Sequence, residues 1–480
     1  MRLNLLTLRE AKEKMRNREI SSVELTKDCL AQIKNTEKKL NAFVTVTEEQ
    51  ALQDAKRADS LIANGQDLPL LGIPFVIKDN FSTHGIQTTA SSNVLKGYIP
   101  TFDATVVSRL KNAGIVMLGK TNMDAFAHGS STETSDFGTT KNPWNIEFLP
   151  GGSSGGTAAS VAADQTIAGI GSETAGSIRQ PASWCGIVGL KPTYGRVSRY
   201  GVIAMASSTD SPGPMTKTVE DSALILNVLA GKDPLDATSS SAPVHDYTKA
   251  IKNDIKKRRI GISSIYTIGV ENDVQNAFDN AIEKLKELGA EIIDLGGNVF
   301  DPKYAISVYT ILQRAEVSSN LARFDGIRYG HRRDHFGEEA KRRIMLGTYT
   351  LSAGYYDAFY KKALKVRTLI IENFIEMFKK VDAFVSPTSP SPALPVGSSK
   401  NHPMFGETAD VLVEPSSIAG LPGINVPCGF TSKKNLSGPD LPIGLQIIGP
   451  QFSEELVINI ANKYEQATDW HLKKPKISYE

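Results

Sequence analysis

Apolar residues repeat with a helical period at the start of the chain and form short unbroken runs further along it. Residues 1–65 read as amphipathic helices, and capping boxes of the form Ser/Thr-x-x-Glu/Gln predict helix starts after Thr7, Ser21 and Thr47. The first unbroken run covers residues 71–77, and its length and Val/Ile content predict a buried strand. The chain therefore changes from a helical to a strand pattern near residue 70.

Strand and helix patterns alternate from that point to about residue 230. Short apolar runs at 115–118 and 167–170 predict two further buried strands, and residues 106–113 and 157–163 have the composition of helices. Alternation of this kind is typical of α/β layers.

The second half begins with a polar, Ser-rich stretch at 234–258, which we interpret as a surface connection. A β–α–β unit follows, and its helix is expected to end at Gly289. We interpret residues 1–480 as a single domain, with helices at 1–65 and a core at 70–230; a boundary near 240–258 is the alternative. The later pattern predicts strands at 291–295, 381–385, 423–428 and 441–448, and helices at 302–322, 337–380 and 453–468.

The overall composition excludes several classes of protein. The 54 Lys and Arg residues nearly balance the 52 Asp and Glu residues, whereas a chain that held nucleic acid through its own phosphate contacts would be more basic. Cys29, Cys185 and Cys428 are isolated, which argues against a disulfide scaffold or a cysteine metal site and fits a reducing compartment. No apolar run reaches the ~18 residues of a membrane helix. Arg9 interrupts the N-terminal run before signal-peptide length, so we expect a cytoplasmic protein without membrane contact.

Two short motifs suggest other enzymes, and we reject both on their context. Residues 114–121 match the P-loop pattern GxxxxGK[ST], but the intervening Ile, Val, Met and Leu look like a strand rather than a phosphate-binding loop. Residues 151–155 match the GxSxG pattern of serine hydrolases, which requires a histidine further along the chain. Histidines do follow, but none has a recognisable catalytic context. A loop of this composition also has a plain interpretation as a flexible turn or an anion-binding nest.

Two loops rich in glycine and serine, at 151–156 and 171–177, carry the stronger chemical signal. Glycine lets backbone N–H groups approach a substrate closely, and consecutive N–H groups near Ser177 could hold an oxyanion. A serine nucleophile needs a base, and without a convincing histidine a buried lysine is the natural alternative. Lys78 ends an apolar run and suits that role. On spacing alone, however, the plainer interpretation of a strand-end lysine paired with Asp79 is favoured.

The sequence of residues 151–195 resembles the signature of the amidase signature family. The stretch reads GGSSGGTAAS at 151–160 and GSETAGSIRQPASWCGIVGLKPTYG at 171–195. The resemblance implies an α/β fold in which a large, mixed, twisted β-sheet is covered by helices on both faces. It also implies that Ser177 is the acyl-enzyme nucleophile, that Ser153, held by a cis peptide, is the bridging serine, and that Lys78 is the terminal base.

The same resemblance implies an oxyanion hole made of backbone N–H groups at Thr174, Ala175, Gly176 and Ser177. The family often has a second glycine where Ala175 stands. A methyl group leaves the N–H available, but it would be strained in a backbone conformation with positive φ.

Three further segments, at 119–133, 318–330 and 342–358, extend the resemblance over nearly the whole chain. They are similar to family members that hydrolyse glutamine as one component of a tRNA-dependent amidotransferase. The resemblance implies that the chain supplies ammonia for the ATP-dependent conversion of Glu-tRNA(Gln) to Gln-tRNA(Gln). The expected partners are a kinase/transamidase subunit together with a small bridging subunit, with ATP, magnesium and most tRNA contacts on the partner and no cofactor or metal on this chain. A free-standing amidase acting on another small amide is the alternative.

Glutamine carries an α-ammonium and an α-carboxylate, so a specific site needs a fixed anion and a fixed cation. The planar guanidinium of arginine suits a carboxylate because it binds in a bidentate manner. The resemblance implies that Arg343 holds the carboxylate, that Asp410 holds the ammonium and that Tyr309 lines the pocket. From the residues alone, Arg343 could be a surface residue of a charged helix start and Asp410 a loop or cap carboxylate.

The chain departs from the family at three further places. His128 stands where methionine is common, Gln313 and Arg314 replace small residues, and residues 331–335 replace a longer polar stretch. We expect His128 and Arg314 near the pocket or the internal route of ammonia, so these departures concern that route more than the chemistry.

Overall fold

The computed structural model describes residues 2–297, 299–400, 402–432 and 440–479. Within these residues, eleven strands form a continuous sheet. The strands are β1 (Phe43–Val46), β2 (Pro74–Lys78), β3 (Val116–Thr121), β4 (Ala168–Glu173), β5 (Val188–Lys191), β6 (Ser211–Thr216), β7 (Arg259–Ile262), β8 (Glu291–Asp294), β9 (Ala383–Pro387), β10 (Gly423–Phe430) and β11 (Pro442–Ile448).

The sheet is mixed, with spatial order β1-β3-β2-β4-β6-β5-β10-β11-β9-β7-β8. Strand β2 is parallel to β3 and β4, and β7 is parallel to β8 and β9, whereas the other neighbours are antiparallel. Every residue of β2, β3, β4, β9 and β11 is buried. Burial of successive residues means that both faces are covered, which confirms the predicted fold class.

Helices cover the sheet and carry the loops at its edge. They are α1 (Leu8–Arg16), α2 (Ser22–Leu40), α3 (Glu48–Ala63), α4 (Thr105–Asn112), α5 (Gly155–Ala162), α6 (Arg179–Cys185), α7 (Val219–Leu229), α8 (Tyr247–Ala250), α9 (Asn272–Glu287), α10 (Lys303–Leu321), α11 (Glu338–Leu351), α12 (Lys362–Lys380), α13 (Phe405–Ala409), α14 (Glu414–Ile418) and α15 (Glu454–Gln466). None of the helices in the described part of the chain is long and apolar enough to cross a membrane.

The N-terminal helices begin where the sequence predicts. Thr7 and Ser21 each form a complete capping box, with Glu10 and Glu24 respectively. Thr47 precedes α3, but its hydroxyl donates to the Met117 carbonyl at 2.9 Å, so the third capping box is wrong. Packing of α3 beside β3 thus replaces the local capping bond.

Several predicted boundaries need correction. The helical region predicted at 337–380 is broken after α11 and continues as a π-helical segment, Tyr356–Lys361, that leads into α12. The connection at 234–258 is not wholly a surface stretch, because it contains α8 and buries Tyr247 and Ile255. Residues 116–121 form a buried strand, which confirms the rejection of the P-loop.

Strand β6 has no counterpart in the sequence prediction, because its sequence SPGPMT contains two prolines and a glycine. Its ladder with β4 covers residues 211–216, whereas β5 pairs only with Met215 and Thr216. The prolines therefore lie where β6 has no ladder pairing with β5, so no ladder N–H is needed on that side. Only glycine fits at position 213, since a Cβ there would lie 2.1 Å from the Leu190 carbonyl oxygen.

Candidate active site

Lys78 ends β2 and is fully buried, and its amine lies among three oxygen atoms. Its Nζ is 2.7 Å from Ser153 Oγ, 3.0 Å from Ser172 Oγ and 3.0 Å from the Ser172 carbonyl oxygen. Asp79 instead pairs with Lys120, at 3.4 Å. The plainer interpretation, in which Lys78 pairs with Asp79, is therefore wrong.

Burial lowers the pKa of Lys78 from 10.5 to about 7, because the ammonium group loses its hydration in the protein interior. The charges of Asp124, Asp210 and Glu173 act in the opposite direction without cancelling this effect. A neutral amine has two N–H bonds and one lone pair. The two Ser172 oxygens can accept the N–H bonds, which leaves the lone pair for the Ser153 hydroxyl.

Ser153 lies in the loop before α5, and the peptide bond between Gly152 and Ser153 is cis. The Asp124 backbone N–H donates to the Ser153 carbonyl at 3.3 Å. Gly152 packs closely on the side chain of Asp124, since a Cβ at position 152 would lie 2.1 Å from Asp124 Oδ2. The hydroxyl at the centre of the GxSxG match thus faces a lysine, in a geometry unlike the histidine-dependent elbow that the motif suggested.

Residues 174–177 join β4 to α6 and form the second loop of the site. Among the described residues, none accepts a hydrogen bond from the backbone N–H groups at 174–177. The Ser177 carbonyl accepts from the Ser154 N–H at 3.2 Å, which joins the two glycine- and serine-rich loops. The Ser177 side chain is 4% exposed, and its hydroxyl makes no hydrogen bond to a described residue. Four unpaired N–H groups beside a buried serine are a suitable donor set for an oxyanion.

Ala175 and Gly176 contribute to this loop in different ways. Neither residue has positive φ, so the alanine that departs from the family pattern causes no backbone strain. Gly176 is required by space, because a Cβ there would lie 2.5 Å from both Asp410 Oδ1 and Val413 Cγ2. The loop at 174–177 and Asp410 are therefore in direct contact.

A buried ion pair supports the ends of this loop. Glu173 Oε2 accepts from the backbone N–H groups of Ile178 and Arg179, each at 3.0 Å, and its Oε1 lies 2.6 Å from Arg179 Nη2. Sequence reasoning missed this pair, although both charged residues stand inside the otherwise small and apolar signature. Sequence reasoning also missed Ser172 and Asn80. The Asn80 Nδ2 donates to Ser172 Oγ at 2.9 Å.

Asp410, the predicted ligand of the substrate ammonium, follows α13 and is buried. Its Oδ2 accepts from the Ser130 hydroxyl at 2.8 Å, while Oδ1 has no hydrogen-bond partner among the described residues. Burial raises the pKa of Asp410 well above its usual value. A cation beside Oδ1 would favour the charged carboxylate again.

Arg343 lies in α11 and is 4% exposed, so its interpretation as a surface residue is wrong. Its Nε donates to Glu339 at 2.6 Å, whereas no described residue accepts from its two Nη atoms. Tyr309 in α10 is also buried; burial raises its pKa well above the usual value, and the charges of Arg343 and Asp410 act on it as well. The structure thus brings Tyr309, Arg343 and Asp410 into one buried polar region.

Lys78, Ser153 and Ser177 are all buried beneath the surface. An open cavity of about 540 Å³ lies beside Glu339 and Ala125, and neither Lys78, Ser153 nor Ser177 lines it. Across the described ranges, no group of three or more His, Cys, Asp or Glu side chains is arranged to hold a metal ion.

A lysine buried against a serine hydroxyl, with unpaired N–H groups nearby, is suited to the cleavage of amide bonds. The Amidase family model matches residues 24–458, and the chain belongs to this family. It is an amidase-family enzyme.

Individual relatives and solved structures show which members of the family the chain is similar to. The chain is 51% identical to a Glutamyl-tRNA(Gln) amidotransferase subunit of Caldanaerobacter subterraneus subsp. tengcongensis, over 100% of both chains. It is 38% identical to the corresponding Glutamyl-tRNA(Gln) amidotransferase subunit in a crystal structure from Thermotoga maritima, with a TM-score of 0.78 over 97% of this chain and 95% of that one. It is 30% identical to the native peptide amidase from Stenotrophomonas maltophilia, with a TM-score of 0.81 over 96% of each chain.

Proposed function

We propose that the chain is the glutaminase subunit of a glutamyl-tRNA(Gln) amidotransferase, in which Lys78, Ser153 and Ser177 form the catalytic triad. The observation that carries the chemistry is the 2.7 Å contact between the buried Lys78 amine and the Ser153 hydroxyl. Relatives named as amidotransferase subunits match the chain over its whole length, which supports the choice of substrate and complex.

The reaction begins with proton transfer through the two serines. Neutral Lys78 takes the proton of Ser153, which takes the proton of Ser177 as Ser177 attacks the side-chain amide of glutamine. The N–H groups at 174–177 stabilise the tetrahedral oxyanion. The C–N bond then breaks, Ser153 gives a proton to the leaving nitrogen, which departs as ammonia, and Ser153 recovers its own proton from Lys78. Lys78 is neutral again, and a glutamyl ester remains on Ser177. Water attacks this ester by the same proton route and releases glutamate.

Recognition of glutamine uses the charged groups beside this loop. The free Nη atoms of Arg343 suit the α-carboxylate, and the unpaired Oδ1 of Asp410 suits the α-ammonium. Tyr309 completes the wall of this pocket. Contact between Asp410 and Gly176 supports this role, because a substrate as short as glutamine needs its ammonium ligand close to the oxyanion loop.

The complex supplies the remaining chemistry. A kinase/transamidase subunit would bind ATP and magnesium and activate the mischarged tRNA, and a small subunit would bridge the two chains. The net charge of +2 fits a chain that leaves most tRNA contacts to this partner. Translation and the three unpaired cysteines both favour a cytoplasmic location.

The variant Ser177→Ala tests the proposal. In the assembled complex it should lose glutamine hydrolysis, by roughly 10³-fold or more, because the acyl-enzyme cannot form. Amidation driven by added ammonium chloride should continue, since that step needs no glutaminase. The control is Ser160→Ala, which removes a buried hydroxyl that donates to the Thr157 carbonyl at 2.9 Å on α5. Normal glutamine hydrolysis by Ser177→Ala would overturn the assignment.

A free-standing amidase acting on another small amide is the second candidate, since the peptide amidase structure shares this fold at 30% identity. The two functions differ in substrate and assembly. A free-standing amidase should hydrolyse simple amides as well as glutamine and purify alone. An amidotransferase subunit should prefer glutamine, purify with two other chains and respond to charged tRNA.

A further inference from the structure

One buried side chain near the pocket has no role in the proposed mechanism. His128 is 1% exposed, and neither of its ring nitrogens has a hydrogen-bond partner among the described residues. Buried polar groups are nearly always hydrogen-bonded, so two unpaired nitrogens on one ring require an explanation. A ligand that enters the pocket would supply the missing partner.

The position of His128 indicates which ligand group this is. Two residues further along the chain, Ser130 donates to the carboxylate of Asp410. Two residues earlier, Phe126 packs on Phe336 with ring centroids 5.5 Å apart, just before the helix that carries Arg343. His128 therefore lies in a segment fixed on one side to the proposed ammonium ligand and on the other to the helix of the proposed carboxylate ligand.

Burial, assisted by the surrounding positive charges, favours the neutral imidazole. Burial lowers the pKa of His128 well below its usual value, and the positive charges of Arg343 and Arg314 act in the same direction. A neutral imidazole has one N–H donor and one lone pair. The donor is suited to an anion held by Arg343, whose two Nη atoms have no acceptor among the described residues.

We propose that the His128 ring donates a hydrogen bond to the α-carboxylate of the substrate, beside Arg343, and that it helps the enzyme to select amides that carry such a carboxylate. This inference rests on the proposed function. A carboxylate has about four acceptor positions, of which a bidentate arginine uses two, so a further donor can be accommodated. Methionine, which is common at this position in the family, offers no N–H, so the contact would distinguish this chain.

The test is His128→Met in the full chain, assembled with its partner subunits. We would measure kcat/KM for glutamine, for glutaramic acid, which lacks the ammonium, and for 4-aminobutanamide, which lacks the carboxylate. Loss of a hydrogen bond to a charged group should lower kcat/KM roughly 10- to 100-fold for the first two amides, chiefly through KM. The value for 4-aminobutanamide should remain within about twofold. His128→Gln, which keeps an N–H donor, should recover part of the loss.

Two comparisons keep the result unambiguous. His471→Met changes another histidine with an unpaired nitrogen, far from Arg343 in the sequence, and should leave all three values unchanged. An equal loss on all three amides, or no loss on any, would show that His128 only fills space and would overturn the inference. If the unmodified enzyme itself shows no preference for amides with an α-carboxylate, the proposed function fails instead.

Discussion

The titration of Lys78 leads to a quantitative prediction about the pH dependence of glutamine hydrolysis. Only the neutral amine can accept the Ser153 proton, and burial sets the pKa of Lys78 at about 7. Because deprotonation produces the active form, kcat/KM should rise with pH and level off above pH ~8. With a pKa of about 7, about one molecule in eleven is active at pH 6 and about one in two at pH 7.

The size of the shift explains why no ordinary lysine would serve. Lowering the pKa from 10.5 to about 7 corresponds to roughly 5 kcal/mol of differential interaction between the two protonation states. At an unshifted pKa of 10.5, only about one lysine in 3,000 would be neutral at pH 7. Burial at the end of β2 therefore increases the population of the base roughly a thousandfold.

The assay is initial-rate glutamine hydrolysis between pH 5.5 and 9, with unfolding monitored over the same range. Lys191 is a matched control, because burial lowers its pKa to about 7 as well, while its Nζ donates to the Pro192 carbonyl at 3.0 Å. Lys191→Met should therefore keep the midpoint of the profile, and Lys78→Arg should abolish activity at every pH, since arginine does not deprotonate. A profile that is flat from pH 6 to pH 8, or a midpoint that moves in Lys191→Met, would refute the reasoning.

Two further substitutions test the contacts around the oxyanion loop. Gly176→Ala would place a methyl group 2.5 Å from Asp410 Oδ1 and Val413 Cγ2, so we expect kcat/KM for glutamine to fall at least ~100-fold with unchanged secondary structure by circular dichroism. Activity near the original level would show that the loop and Asp410 are not in contact. Arg343→Lys keeps the charge but removes the planar fork, and KM for glutamine should rise roughly 10- to 100-fold in steady-state kinetics while kcat changes less than threefold. A fall in kcat at constant KM would contradict a binding role.

Local patterns predicted much of the framework around the reacting groups. The apolar run before Lys78 predicted a buried strand, and the sheet confirms that the lysine ends it. Strand β6 could not be predicted, because its prolines are tolerated only where β5 does not pair with it in the ladder. That circumstance depends on strands 20 or more residues apart in the chain, which no local pattern reports.

The chemistry of the site was less accessible from the residues alone. Spacing favoured a pairing of Lys78 with Asp79, whereas the structure directs the lysine to Ser153 and gives Asp79 another partner. Ser172 carries no distinguishing local signal, since serine is frequent in both loops. It lies next to Lys78 because β4 lies beside β2 in the sheet. Placement of Arg343 and Asp410 around Tyr309 depends on how α10 packs against α11 and α13, which only the folded chain determines.

The order of the functional residues along the chain has an evolutionary consequence. The residues proposed to break the amide bond all lie before residue 180, whereas three of the four proposed to bind the substrate lie on α10, α11 and the end of α13, with His128 as the exception. Apart from His128, the two tasks thus lie in separate stretches of the sequence. Changes in the later stretch can direct the enzyme to a different amide while the residues that break the bond are inherited unchanged. A single ancestral hydrolase could therefore give rise to amidases with other substrates and to an enzyme that supplies ammonia for translation.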